Sequence, residues 1–201
     1  VTKLSPAGAT LGTYPVGTNP NDIAVDYSGN VWVVNSGLNN VTKLSPAGAT
    51  LGTYSVGTNP IGIAIDYSGN VWVTNYGSGT VTKLSPTGTV LGTFSVGTTP
   101  HGIAVDYFGN TWVANSSSNT ITKLSPAGAV LSTFSVGSFP MDIVIDHSGT
   151  VWITNSSSNT VTKLSPVGTV LGTFSVGDSP QFLNVDNSGN VWITNYYSNN
   201  V

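Results

Sequence analysis

A 40-residue unit written five times in succession leaves this chain few ways to fold. VTKLSP begins at residues 1, 41, 81 and 161 and ITKLSP at 121, which divides the chain into units 1–40, 41–80, 81–120, 121–160 and 161–200. The first two units differ at nine positions, the similarity expected of copies that were recently amplified or designed. A fixed period of this length marks an array whose units bury their faces against one another.

Within a unit, turn residues separate four short β-prone runs. They fall at 61–66 (IGIAID), 70–75 (NVWVTN), 81–85 (VTKLS) and 90–96 (VLGTFSV), punctuated by Pro60, Pro86, Gly88 and Gly97. No window carries a helical apolar spacing. The four runs read as an antiparallel meander, and radial stacking of such meanders gives a β-propeller. In NVWVTN the valines and the tryptophan point to opposite faces, so each face can meet a neighbouring blade. A linear β-solenoid is the rival stack; its coils are normally shorter and lack this four-strand punctuation.

The expected fold is therefore all-β: one propeller domain over residues 1–201, built of five four-stranded antiparallel blades. Counted from the run at 61–66 as the first strand, the chain opens on a third strand. Residues 1–17 supply strands three and four of a blade and residues 180–201 supply strands one and two, and pairing of these halves is expected to complete the fifth blade and close the ring. A closed ring predicts a monomer, with oligomerisation the alternative if one chain does not close it.

The run PxGIAVDxxGNVWVTNxxSxTVTKLSPxGTVLGTF resembles the blade of NHL-repeat propellers and the related blade of the virginiamycin B (streptogramin) lyases, once per unit over essentially the whole chain. Such propellers include enzymes and interaction platforms, so the resemblance implies the fold rather than one activity. The lyase resemblance also implies His and Glu side chains around a divalent metal on one face. Only His101 is placed to serve, and the chain has no Glu. Metal-dependent lyase, hydrolase or lactonase chemistry is disfavoured on that ground.

Charge is scarce: five Lys, eight Asp, no Arg and no Glu, for a net charge of −3. A surface of Ser, Thr, Asn and Gly suits an extracytoplasmic or secreted protein. No basic cluster is present to neutralise phosphates, so nucleic acid is not an expected partner. No apolar stretch is long enough for membrane insertion as a helix. The chain has no cysteine, hence no disulfide or thiolate metal site, and nothing calls for a cofactor.

The tryptophan of each unit (Trp32, Trp72, Trp112, Trp152, Trp192) is expected in the core, where each large aromatic surface would be worth several kcal/mol. The aspartate of each first turn (Asp26, Asp66, Asp106, Asp146, Asp186) faintly suggests a calcium loop, but one carboxylate per turn falls far short of six to eight oxygens. Its expected role is structural, accepting backbone N–H groups across the turn, so no metal site is assigned. The single Lys of each unit is expected to lie along the blade with its ammonium in solvent, near an Asp. His101 and His147 are the only side chains poised for acid–base work near neutrality, but their addresses put them on opposite rims. No catalytic residue is assigned.

Differences between units concentrate at one end of the meander. The DxxG and SPxG turns barely change, whereas the inter-blade loops read TNPND, TNPIG, TTPHG, SFPMD and DSPQF, and the loops from second to third strand vary alongside them. Loops on a rigid scaffold are where binding groups collect. The expected ligand-binding face comprises Asp22, Ile61, Tyr76, His101, Met141, Asp142, Gln181, Phe182, Tyr196 and Tyr197. The functional expectation is a non-catalytic binding or interaction scaffold for an unidentified protein, peptide or glycan. The alternative is a repeat protein with no dedicated ligand, whose loops have drifted.

Overall fold

The computed structural model describes residues 1–201 and contains twenty strands and no helix. Two short strands come first, β1 (Thr2–Leu4) and β2 (Thr10–Thr13). Four complete blades follow: β3 (Pro20–Val25), β4 (Val31–Asn35), β5 (Asn40–Leu44) and β6 (Thr50–Ser55); β7 (Pro60–Ile65), β8 (Val71–Asn75), β9 (Thr80–Leu84) and β10 (Val90–Ser95); β11 (Pro100–Val105), β12 (Thr111–Asn115), β13 (Thr120–Leu124) and β14 (Val130–Ser135); β15 (Pro140–Ile145), β16 (Val151–Asn155), β17 (Thr160–Leu164) and β18 (Val170–Ser175). A last pair, β19 (Pro180–Val185) and β20 (Val191–Asn195), ends the chain. Each blade is a four-stranded antiparallel meander in chain order, within a residue or so of the runs read from the sequence. The inner strands β3, β7, β11, β15 and β19 neighbour one another in turn around the channel.

The stacking follows from which side chains the two central strands bury. Val71 to Asn75 are buried throughout, so this strand is covered on both faces, as a blade between two others must be. Trp32 packs with Val71, Val73 and Leu84 of the next blade, and Trp112 with Val151, Ile153 and Leu164. Trp32, Trp72 and Trp112 are completely buried, each worth about 4–6 kcal/mol at the usual apolar-area coefficient.

The turn aspartate does more than shape its turn. Asp66 Oδ1 accepts the backbone N–H groups of Ser68 (3.0 Å) and Asn70 (2.9 Å), while Oδ2 accepts the indole N–H of Trp72 (3.0 Å). Lys83, opposite Trp72 in the β8–β9 register, sits 3.5 Å from Asp66 Oδ2 and 4.6 Å from the centre of the Trp72 ring. It donates to the carbonyl of Pro126 in the next blade at 2.7 Å. The same Lys-to-Pro bridge joins Lys3 to Pro46, Lys43 to Pro86 and Lys123 to Pro166. The lysines therefore depart from the solvated position expected of them: Lys43 and Lys83 are buried, because an ammonium held by a carboxylate, a ring face and a carbonyl can leave water. Burial pushes the Asp26 carboxyl up, but hydrogen bonds from Asn30, Trp32 and Ser28 outweigh it and hold the pKa at about 2.

Two expectations are corrected at the ends of the array. β1–β2 and β19–β20 stand as separate two-stranded sheets, so the halves do not pair and the ring is not closed. The inner strands pack in succession from β3 to β19, and β20 and β1, which would have to pair to complete a blade, belong to different sheets. Trp192 in consequence is 57 % exposed, since no following blade packs on it and no third strand carries a Lys across its ring. Trp152 is intermediate.

Candidate functional site: the mouth of the channel

The inter-blade loops and the loops from second to third strand share one rim and are stitched to each other. Asn59 N donates to Asn39 Oδ1 (2.8 Å) and Phe139 N to Asn119 Oδ1 (2.9 Å), while Ser36 N and Tyr76 N reach the carbonyls of Asn19 and Asn59. The residue before each inter-blade Pro takes the left-handed conformation, including Thr99 at φ 51° and Phe139 at φ 57°. For side chains other than Gly or Asn this costs about 1–2 kcal/mol, and the stitching holds it in place.

Inside that rim lies a groove of about 410 Å³, and it brings together seven of the expected binding residues: Asp22, Ile61, His101, Met141, Asp142, Gln181 and Phe182. Tyr76 stands edge-on to His101 with ring centres 6.4 Å apart. Tyr196 and Tyr197 are not in the groove lining; they are exposed and pack edge to face on each other at 4.9 Å.

The aspartates are set by the spacing of the inner strands. Asp142 Oδ1 accepts Ile143 N (2.9 Å) and Oδ2 accepts Leu183 N of the next blade (3.0 Å). Asp22 repeats this with Ile23 N and Ile63 N. Where the middle copies carry Gly62 and Gly102 instead, a Cβ would fall 2.5 Å from the His101 carbonyl oxygen and 2.6 Å from that of Met141, so the strands approach too closely for any side chain. The alternation of Asp and Gly at one position of the unit is the sign of this in the sequence. Burial pushes the Asp142 carboxyl up to about 6 despite the two amide bonds, and the Asp22 charge adds to the rise. Asp22 is likewise raised by burial. Burial lowers the His101 pKa against a ring hydrogen bond to the Met141 backbone that raises it, which favours the neutral ring. His147 lies on the opposite rim beside Asp146.

Charge is divided between the rims. The five turn aspartates and the five lysines share the DxxG rim and cancel there. The remaining three carboxylates, Asp22, Asp142 and Asp178, all belong to the rim of the groove and account for the net charge of −3.

The family model described as the virginiamycin B lyase family matches residues 9–201. The chain belongs to the virginiamycin B lyase family. No curated protein sequence matches this family member significantly. Among solved structures, a streptogramin B lyase superposes with a TM-score of 0.81 at 20 % identity, over 89 % of this chain and 62 % of that one. A catalytically inactive His-to-Ala variant of virginiamycin B lyase from Staphylococcus aureus, with quinupristin, gives 0.89 at 16 % identity over 98 % and 71 %. Hydrazine synthase from Kuenenia stuttgartiensis gives 0.82 at 20 % over 93 % and 59 %. These identities establish the propeller fold alone. The chain spans about three fifths of the length of the streptogramin B lyase.

For this member of the virginiamycin B lyase family, the implied divalent metal can be tested against the donors present. No three His or Asp side chains converge, and both oxygens of Asp22 and of Asp142 already accept backbone N–H groups. The residues present do not fit such an ion, and no step is derived through one.

Proposed function

We propose that this chain is a non-catalytic binding propeller that takes a cationic ligand, such as a basic segment of a peptide or protein, at the mouth of its channel. The observation that supports this is the division of charge: the DxxG rim carries as many lysines as aspartates, so the net charge of −3 resides on the rim where the copies diverge. Asp22 and Asp142 sit there beside the apolar side chains of Ile61, Met141 and Phe182. An ammonium there would meet the remaining lone pairs of Asp22 and Asp142, and its charge would favour the ionised form of Asp142. Rigid apolar side chains would supply contact area at small entropic cost.

The test is titration of the folded protein with lysine-containing and with acetyl-lysine-containing peptides. The reading expects only the charged set to bind, more weakly in high salt, with Asp142→Asn and Phe182→Ala each reducing affinity about tenfold. Equal binding of both sets, or no loss from either variant, would overturn it. Lyase activity is the rival reading, favoured by the family and by the quinupristin-bound relative. Incubation with quinupristin discriminates: linearisation of the ligand, abolished by His101→Ala, would establish the rival.

A further inference from the structure

The opposite rim, where the turns are otherwise nearly constant, carries a second feature. The residue after each turn aspartate is Tyr27, Tyr67, Tyr107, His147 or Asn187, and the next is Ser in four copies but Phe108 in the third. Tyr67, Tyr107 and Phe108 are 61 %, 80 % and 76 % exposed. Tyr67 meets Tyr107 edge to face at 5.8 Å, and Tyr107 meets Phe108 at 6.0 Å, so three rings from two blades form one continuous exposed cluster. Beside it opens a groove of about 470 Å³.

These aromatics do nothing for the turn. Phe108 N donates to Asp106 Oδ1 at 3.0 Å, as Ser68 N does to Asp66; the backbone is the same whichever side chain follows. Contiguous exposed rings without a packing role mark a contact surface.

The chemistry of the groove narrows what it can hold. Its two ionic groups are already spent on each other, Lys83 lying 3.5 Å from Asp66 and donating to Pro126, so neither an anion nor a cation finds a free countercharge. Ser68 Oγ and the phenol hydroxyls of Tyr67 and Tyr107 have no partner within the chain, and Asn70 donates its amide to Asp66 while its carbonyl oxygen stays free. The free hydrogen-bonding set is thus three hydroxyls and one amide oxygen, all neutral. The tyrosines touch each other, so nothing inserts between them as a proline ring would between separated aromatic ridges. A ligand can only lie flat on a ring face, where the negative π-cloud attracts polarised C–H groups. Flat C–H faces bordered by hydroxyls are the chemistry of a pyranose.

We propose that the groove between the first turns of the second and third complete blades-worth of repeat, at Tyr67, Tyr107 and Phe108, binds a neutral saccharide. It is independent of the channel site and faces the other way.

The test is calorimetric and NMR titration of the full chain with maltotetraose, cellotetraose and chitotetraose, and separately with decaproline. The expected result is binding of at least one neutral tetrasaccharide in the micromolar to millimolar range, weakened about tenfold by Tyr107→Ala and by Phe108→Ser. Phe108→Ser restores the residue of the other copies, so its melting temperature should match the parent. Tyr196→Ala and Tyr197→Ala on the far rim, outside this groove, should leave saccharide binding unchanged. Absence of binding by all three saccharides at 20 mM, about the weakest binding such a site would be useful at, would overturn the proposal. So would preferential binding of decaproline, or equal losses from the far-rim variants.

Discussion

Replacing Lys83 by Met should destabilise the protein by about 2–3 kcal/mol, while the same change at Lys3 should cost less than about 0.5 kcal/mol. At Lys83 the ammonium lies over Trp72, 3.5 Å from Asp66, and donates to Pro126. A hydrogen bond to a charged donor contributes about 1.5–3 kcal/mol and a desolvated cation–π contact about 2 kcal/mol. Breaking a buried pair can cost about 3–5 kcal/mol when it strands the partner charge. Here it does not strand it, because Asp66 keeps hydrogen bonds from Ser68 N, Asn70 N, the Asn70 amide and the Trp72 indole. Met also fills most of the volume left by the Lys stem, which returns part of the loss. Lys3 is exposed, has no Trp or Asp partner, and keeps only its bond to Pro46. Guanidinium melts of the two variants against the parent, with thermal scans at neutral pH, read the difference. Equal losses at the two sites, or a loss below 1 kcal/mol at Lys83, would mean that the ammonium is solvated and that the inter-blade bridge contributes nothing.

Trp112→Ala should cost about 3–5 kcal/mol, whereas Trp192→Ala, at a ring already 57 % exposed, should cost well under half of that in the same denaturant melts. Asp142 has its folded pKa raised to about 6 from 3.8, so its neutral form is the favoured one: its contribution is complete below about pH 4 and lost as pH rises through 6. Asp142 should lower stability by up to about 3 kcal/mol over that window, so Asp142→Asn should fall less than the parent, retaining only the contribution of Asp22, a difference that melts at pH 4 and pH 7 would reveal. The turn aspartates run the other way, being depressed, and lose their contribution as pH falls from about 4 toward 2. Gly102→Ala should lower the melting temperature by several degrees, because its Cβ would press on the Met141 carbonyl at 2.6 Å and the inner strands must part to admit it.

Much of this was legible in the residues. The period fixed the number and length of strands, and turn residues placed their boundaries to within a residue or so, since a 40-residue meander with two apolar faces has only a neighbouring copy to bury them against. The ten binding residues came from comparing copies, and seven line one groove because they occupy the same two positions of the unit at the start of successive inner strands. What failed did so for a common reason. Lys43 and Lys83 read as solvated because their partners, a turn Asp seventeen residues earlier and a Pro of the following blade, are brought to them only by the third dimension. Trp192 looks like Trp72 by every local measure, and only the missing neighbour exposes it. Closure depends on the angle between blades, a sum of small packing differences that no single unit displays. Phe108 was visible but undervalued, since one unusual residue in a constant turn says nothing until its exposure is known.

The lysine bridges carry a consequence for how such an array changes with time. Each spans the same 43 residues, from Lys3 to Pro46, Lys43 to Pro86, Lys83 to Pro126 and Lys123 to Pro166. Excision or insertion of one 40-residue unit, cut anywhere so long as the frame is kept, leaves each bridged lysine that remains, except one that becomes the last, with a proline at the old separation. Misaligned recombination between near-identical coding segments produces just such events. The copy number can therefore drift without an intermediate that must survive an unsatisfied ammonium, and selection is left to act on the rims that each added or lost unit rearranges.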